Sequence, residues 1–192
     1  MKIKKLISAL VLGSMLVGLS GCNITDFSAE NLLRPPKAVG DEAEIEQLIA
    51  KTADSGYTLK YPKNGKFRSA IIMTDLDGND SNEAVAFFRN SAETSSVHML
   101  VMYSKDNSWE IASDNIFETT DIDSVDFADL TGNGKAEIIV NSTTYTPNVG
   151  KLSCYSYSEG KTNEVGSGQS CSSFVTGDFD NDGTSEIMLL VL

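Results

Sequence analysis

Carboxylates and amides recur at one fixed spacing in three segments of this chain. The segments are Asp75-Leu76-Asp77-Gly78-Asn79-Asp80-Ser81-Asn82-Glu83, Asp129-Leu130-Thr131-Gly132-Asn133-Gly134-Lys135-Ala136-Glu137 and Asp178-Phe179-Asp180-Asn181-Asp182-Gly183-Thr184-Ser185-Glu186. Each carries an oxygen-bearing side chain at positions 1, 3, 5 and 9. Odd spacing in a tight loop lets these side chains converge on one point, and a backbone carbonyl near position 7 adds another oxygen. Oxygen ligands without His or Cys suit Ca²⁺ or Mg²⁺, and so many from one flexible loop favour Ca²⁺.

The copies are unequal. The third has acids at all four positions and Gly183 at the turn. The first has Asn79 at position 5 and Asp80 where a glycine is expected, and Asp tolerates a left-handed turn better than most residues. The second has Thr131 at position 3, a poor ligand, so only Asp129 and Glu137 bring charge, with Asn133 between them. Ligand charge helps set calcium affinity, which ranks the loops third, first, second. The competing reading is a turn that uses Asp, Asn and Gly for conformation alone. An EF-hand is excluded. Its bidentate Glu stands at position 12 and helices flank it, whereas position 12 here is Ala86, Val140 or Leu189 and the flanks read as strands.

The elements that must hold these loops follow from periodicity. Residues 41–55 read as an amphipathic helix. Ile45, Leu48, Ile49 and Thr52 or Ala53 give the stripe, Asp41 and Glu44 suggest a capping box, and Gly56 stops it. The helix is expected to pack on its own domain. From Tyr57 the period becomes two. Residues 57–61 and 67–74 read as strands joined by an Asn64-Gly65 hairpin turn. Strands are then expected at 83–89, 97–104, 108–113, 124–128, 136–142, 151–158, 162–166 and 174–176, followed by one apolar strand after Glu186. The loops start 54 and then 49 residues apart. Four short strands per period of about fifty residues is the pattern of a propeller blade. The expected fold is all-β: about two four-stranded blades and the start of a third over residues 57–192, a partial β-propeller. A closed ring needs at least about four blades, so the expectation is a piece of a longer array, or one completed by a partner.

The loops with their flanking strands resemble the FG-GAP/VCBS repeat over residues 67–192. In that family Asp-x-Asp-x-Asp-Gly-x-x-Asp/Glu loops bind calcium between the strands of propeller blades, as in integrin α-subunits and many bacterial surface proteins. The resemblance implies structural Ca²⁺ held by Asp75, Asp77, Asn79 and Glu83, by Asp129, Asn133 and Glu137, and by Asp178, Asp180, Asp182 and Glu186.

The N-terminus reads as an address. Lys2, Lys4 and Lys5 precede an apolar stretch at 6–19, as in a signal peptide. Leu19-Ser20-Gly21-Cys22 resembles the bacterial lipobox, which implies cleavage after residue 21 and lipid on Cys22. Residues 22–40, with Pro35-Pro36, read as a tether. The expected location is the extracytoplasmic face of a bacterial cell membrane, anchored rather than spanning. The chain carries a net charge of −12. Such acidity repels phosphate and excludes a nucleic-acid partner. Cys154 and Cys171 read first as small buried hydrophobes and second as a disulfide, which an exported protein could form.

Nothing in the sequence points to catalysis. His98 is a lone strand histidine, and no nucleophile elbow is present. Gly132-Asn133-Gly134 and Gly166-Ser167-Gly168 read as turns, not phosphate cradles, because neither leads into a helix. The expectation is a non-enzymatic envelope protein that binds or scaffolds, with a protein or glycan ligand and self-association through exposed strand edges. The alternatives are the N-terminal portion of a longer surface enzyme or adhesin, and a truncated product without function.

Overall fold

The computed structural model describes residues 40–54 and 56–191. The segments expected to be a signal peptide and a tether, with Cys22, fall on residues 1–39, outside the described residues. Helix α1 (Asp41–Ala53) leads into eleven strands: β1 (Tyr57–Leu59), β2 (Ile71–Thr74), β3 (Glu83–Asn90), β4 (Val97–Lys105), β5 (Ser108–Phe117), β6 (Ile122–Ala128), β7 (Glu137–Thr143), β8 (Gly150–Ser158), β9 (Lys161–Cys171), β10 (Ser173–Gly177) and β11 (Glu186–Leu190). All pairings are antiparallel, and the sheets do not close. The fold is therefore all-β with one helix.

Strand alternation builds it in layers. In β3, Ala84, Ala86 and Phe88 face α1, where Ile45, Ile49 and Ala53 cover them. Val85 and Phe87 face the other way and pack with Met99 and Val101 against Ile138, Val140, Tyr155 and Tyr157 of the β6–β9 sheet. Both faces of β3 are thus buried, which is why residues 83–88 read as an apolar run rather than an alternating one. The far face of the β6–β9 sheet presents Ile139, Leu152, Cys154 and Cys171, which Phe174, Ile187 and Leu189 of the β10–β11 hairpin cover. The outward face of that hairpin leaves Val175, Met188 and Leu190 exposed.

Three expectations and one alternative reading, the disulfide, are corrected. The first concerns Asn64-Gly65, which joins no hairpin. β1 and β2 instead occupy successive stretches of one edge of β3, Tyr57–Leu59 opposite Asn90–Phe88 and Ile71–Thr74 opposite Ala86–Glu83. The segment between them lies against β6, with Lys63 and Asn64 donating their N–H groups to the carbonyls of Ile122 and Asp123. This edge offered longer-range backbone partners than a local hairpin could. The capping box is also absent: Gly40 occupies the N-cap, no side chain caps the helix, and Glu44 accepts the Trp109 N–H at 3.0 Å. The helix-to-sheet contact has taken the carboxylate that a box would use.

The disulfide is not formed, and both thiols are free and buried. Cys154 stands opposite Gly166, while Cys171 stands opposite Gly150. Four residues of β8 separate these registers, roughly 13 Å of strand, against a bridging limit of about 7 Å between Cα atoms. Finally, Gly166-Ser167-Gly168 is no turn, since β9 runs through it to Cys171. The register steps over Gly168, whose φ is +91°, making a bulge there.

Candidate metal centres

Each loop bridges two antiparallel neighbours: β2 to β3, β6 to β7, and β10 to β11. All three share one internal scaffold. The position-1 carboxylate caps the turn. Asp75 accepts the N–H groups of Gly78 (2.8 Å), Asn79 (3.3 Å) and Asp80 (2.9 Å). Asp129 accepts those of Thr131, Asn133 and Gly134, and Asp178 those of Asp182 and Gly183. The side-chain oxygen at position 5, on Asn79, Asn133 and Asp182 alike, accepts the position-7 N–H, from Ser81, Lys135 and Thr184 respectively. One oxygen of the position-9 Glu accepts the position-2 N–H at 2.8 Å in every copy: Glu83 from Leu76, Glu137 from Leu130 and Glu186 from Phe179.

This scaffold needs left-handed backbone at two positions. Position 6 is Asp80 (φ +64°), Gly134 (+78°) and Gly183 (+92°), so Asp80 does adopt the turn expected of it. Position 4 is Gly78 (+75°), Gly132 (+69°) and Asn181 (+62°), a requirement that the oxygen pattern alone had not revealed. Glycine there has a further reason, because the loops stack on one another. The Ala136 N–H donates to the Leu76 carbonyl at 3.0 Å, and the Ser185 N–H to the Asp129 carbonyl at 2.8 Å. A Cβ on Gly78 would lie 2.8 Å from the Gly134 carbonyl oxygen.

The carboxylates converge in two loops. Asp75, Asp77 and Glu83 bring ligand atoms within 4.8 Å of one another, as do Asp178, Asp180, Asp182 and Glu186. The first group is half-buried or buried and the third largely exposed. In the second loop Thr131 stands where the others have a carboxylate, leaving Asp129 and Glu137 as its only acids. Asn79 and Asn133 sit at the turn of their loops with their amide oxygens turned inward to the backbone.

The first loop concentrates uncompensated negative charge. Among the described residues no Lys or Arg forms an ion pair with Asp75, Asp77 or Glu83. Glu83 is 3% exposed. Burial raises its pKa, the Asp77 and Asp75 charges raise it further, and the Leu76 N–H only partly offsets them. Tyr157, packed nearby, is pushed up to about 12, first by burial and then by the Glu83 and Asp77 charges. Asp75 moves the other way. Burial works to raise it, but the backbone N–H groups of Asp80, Gly78, Asn79 and Asp77 outweigh that and hold it below the ordinary value. Asp129 is likewise lowered, burial being outweighed by the N–H groups of Gly134, Asn133, Thr131 and Gly132.

Position 3 differs from the rest. Asp180 Oδ1 accepts the Asp182 N–H at 3.1 Å, but Asp77 Oδ1 is buried and has no hydrogen-bond partner. A buried, partnerless carboxylate oxygen beside two more carboxylates fits a hard cation, as does the all-oxygen donor set. The conformation-only reading accounts for positions 1, 5 and 9 and leaves this atom unexplained.

The remaining sequence candidates sit apart. His98 is packed. It stacks on Phe88 at 4.8 Å, and its Nδ1 lies 2.9 Å from Asp114 Oδ1. Burial pushes the Cys154 and Cys171 thiols up, as do, secondarily, the charges of Glu137 and Asp123 respectively, so neither is an activated nucleophile. Among the described residues no helix is long and apolar enough to cross a membrane. Compared with family models, curated proteins and solved structures, the chain matches none.

Proposed function

We propose that this chain is a calcium-stabilised repeat protein of the bacterial cell envelope, of FG-GAP/VCBS type and with propeller-like blades, tethered by lipid on Cys22 and serving binding or scaffolding rather than catalysis. The observation that carries the calcium reading is Asp77 Oδ1, a buried acceptor without a donor inside a triad of unpaired carboxylates. A divalent cation would be held by Asp75, Asp77 and Glu83 in the first loop and by Asp178, Asp180, Asp182 and Glu186 in the third. It supplies no reaction step. Bound between two strands, it neutralises like charges and stabilises the fold in proportion to occupancy.

The blade reading draws support from the order of the molecule. Two successive four-strand units, β2–β5 and β6–β9, stack face to face through apolar layers, each with its acidic loop between its first two strands. The anchoring reading rests on residues 1–22 alone.

Thermal melting of the full chain in calcium and in chelator tests the metal. Calcium at 100 times the dissociation constant adds about 2.7 kcal/mol per site, or about 5–10 °C for a domain of this size. An identical midpoint in both buffers removes the calcium reading. Labelling with a radioactive fatty acid tests the anchor. Incorporation lost in Cys22→Ala supports it, and a chain that takes up no label contradicts it.

A further inference from the structure

The β6–β9 sheet has a second end. Its acidic loop closes the end where Ala128 pairs with Glu137. Around the opposite end, where Ile122 pairs with Ser142, lies a cleft of about 640 Å³, a size typical of small-molecule sites. The turn between β7 and β8, the Lys63-Asn64 segment and the ends of β10 and β11 surround it.

Asp123 is the centre of its polar lining. Its Oδ1 accepts Asn64 Nδ2 at 2.8 Å, and its Oδ2 accepts Ser124 Oγ at 3.0 Å and Asn141 Nδ2 at 3.3 Å. Two amides thus hold one carboxylate between them. Asn141 is wholly buried, and with its NH₂ committed to Asp123 its Oδ1 has no partner. A buried amide acceptor left without a donor costs about 1–3 kcal/mol, so its retention in the lining needs a reason. Gly150 makes room for it, since a Cβ there would lie 2.0 Å from Asn141 Oδ1.

The chemistry of the lining narrows the ligand. A metal ion would find Asp123 as the only acid among the lining residues, too few charged oxygens for a hard cation. An anion would meet only Lys63, whose ammonium is already paired with Asp121 at 3.1 Å, on a chain of net charge −12. An apolar ligand would meet Pro147, Val149 and Leu190, but it would also strip water from the Asp123 carboxylate and from the neighbouring amides and hydroxyls without replacing those hydrogen bonds. What remains is a neutral ligand rich in hydroxyl donors. A carboxylate with a spare lone pair, flanked by the Asn64 amide and with Asn148 also in the lining, offers the paired donors and acceptors that adjacent hydroxyls require. We infer that this cleft binds a neutral saccharide unit, with Asp123 and Asn64 as direct contacts and Asn141 as the group that positions Asp123.

The test exposes the full chain to an array of neutral hexose and N-acetylhexosamine oligosaccharides, with sialylated and sulfated glycans alongside. Retained glycans are then titrated calorimetrically. The expected result is retention of neutral glycans, with affinity falling at least ten-fold in Asn64→Ala, an exposed side chain whose loss leaves the core intact. Gly150→Ala, which displaces the Asn141 amide, is expected to lower affinity comparably. Circular dichroism and a cooperative thermal transition in chelator confirm that each variant is folded. No retained glycan, retention of acidic glycans only, or unchanged affinity in folded Asn64→Ala each overturns the inference. None of these outcomes depends on whether the acidic loops bind calcium, because the cleft uses no loop residue.

Discussion

The first and second acidic loops share a backbone and differ in charge. Both are capped by an Asp at position 1, turned by left-handed residues at 4 and 6, and pinned by a buried Glu at 9. They touch one another directly through Ala136 and Leu76. Yet one gathers three carboxylates around an orphaned oxygen, and the other has Thr131 in that place. Under the proposed calcium reading, conformation and metal affinity are written at different positions. Positions 1, 5 and 9 serve the backbone, which they would do with or without an ion. Position 3 in the first loop serves nothing in the backbone, and under the proposed calcium reading it is the position that sets that loop's affinity.

Exchanging position 3 gives the largest expected effect. Asp77→Thr gives the first loop the ligand set of the second, and it should remove that loop's share of the calcium-dependent rise in midpoint, about 5–10 °C at saturation. A full calcium response in this variant would mean that position 3 is not decisive. Glycine variants separate shape from charge. Gly78→Ala combines a left-handed residue with a clash against the Gly134 carbonyl, at a cost of about 1–3 kcal/mol. Gly134→Ala meets no neighbour within 4 Å and should cost only its backbone strain, about 1–2 kcal/mol. Urea melts in chelator should place Gly78→Ala below Gly134→Ala, and the reverse order would contradict the stacking of the loops.

The converse exchange is smaller. Thr131→Asp should create a third carboxylate site, seen as one extra calcium ion per chain and a further rise of a few degrees at high calcium. The smallest effect is electrostatic. The folded-state pKa of Glu83 is raised, so its contribution to the calcium-free fold is present below its ordinary value and lost as pH rises through the raised one. Asp75 and Asp129 are lowered, and theirs is present above the ordinary value and lost as pH falls through the lowered one. Glu83→Gln keeps an acceptor for the Leu76 N–H and removes the charge. In chelator it should melt at or above the parent at pH 7, with the advantage vanishing toward pH 4, while in calcium it should melt below. A variant less stable than the parent in chelator at pH 7 would show that like-charge repulsion is not what burdens this site.

Much of this architecture was legible because strands and tight turns are local. The strands expected at 97–104 and 151–158 match β4 and β8 to within a residue at each end, and the nine-residue phrase located all three loops. What escaped was decided at long range. Asn64-Gly65 carries a strong hairpin signal, yet its neighbours found partners on β3 and β6. Glu44 stands at capping-box spacing, but Trp109 is 65 residues away and claimed it. The glycine at position 4 looked like turn filler until the contact with Gly134 showed that neighbouring loops exclude a side chain there. The Asp123 cleft left a fainter trace: Asn141 is a lone amide at an inward position, two residues beyond Ile139 on an apolar strand.

Calcium titration of the full chain by calorimetry tests the central claim most directly. The account predicts two ions per chain, in the first and third loops, falling to one in Asp77→Thr. No binding heat, or a stoichiometry that Asp77→Thr leaves unchanged, would contradict it.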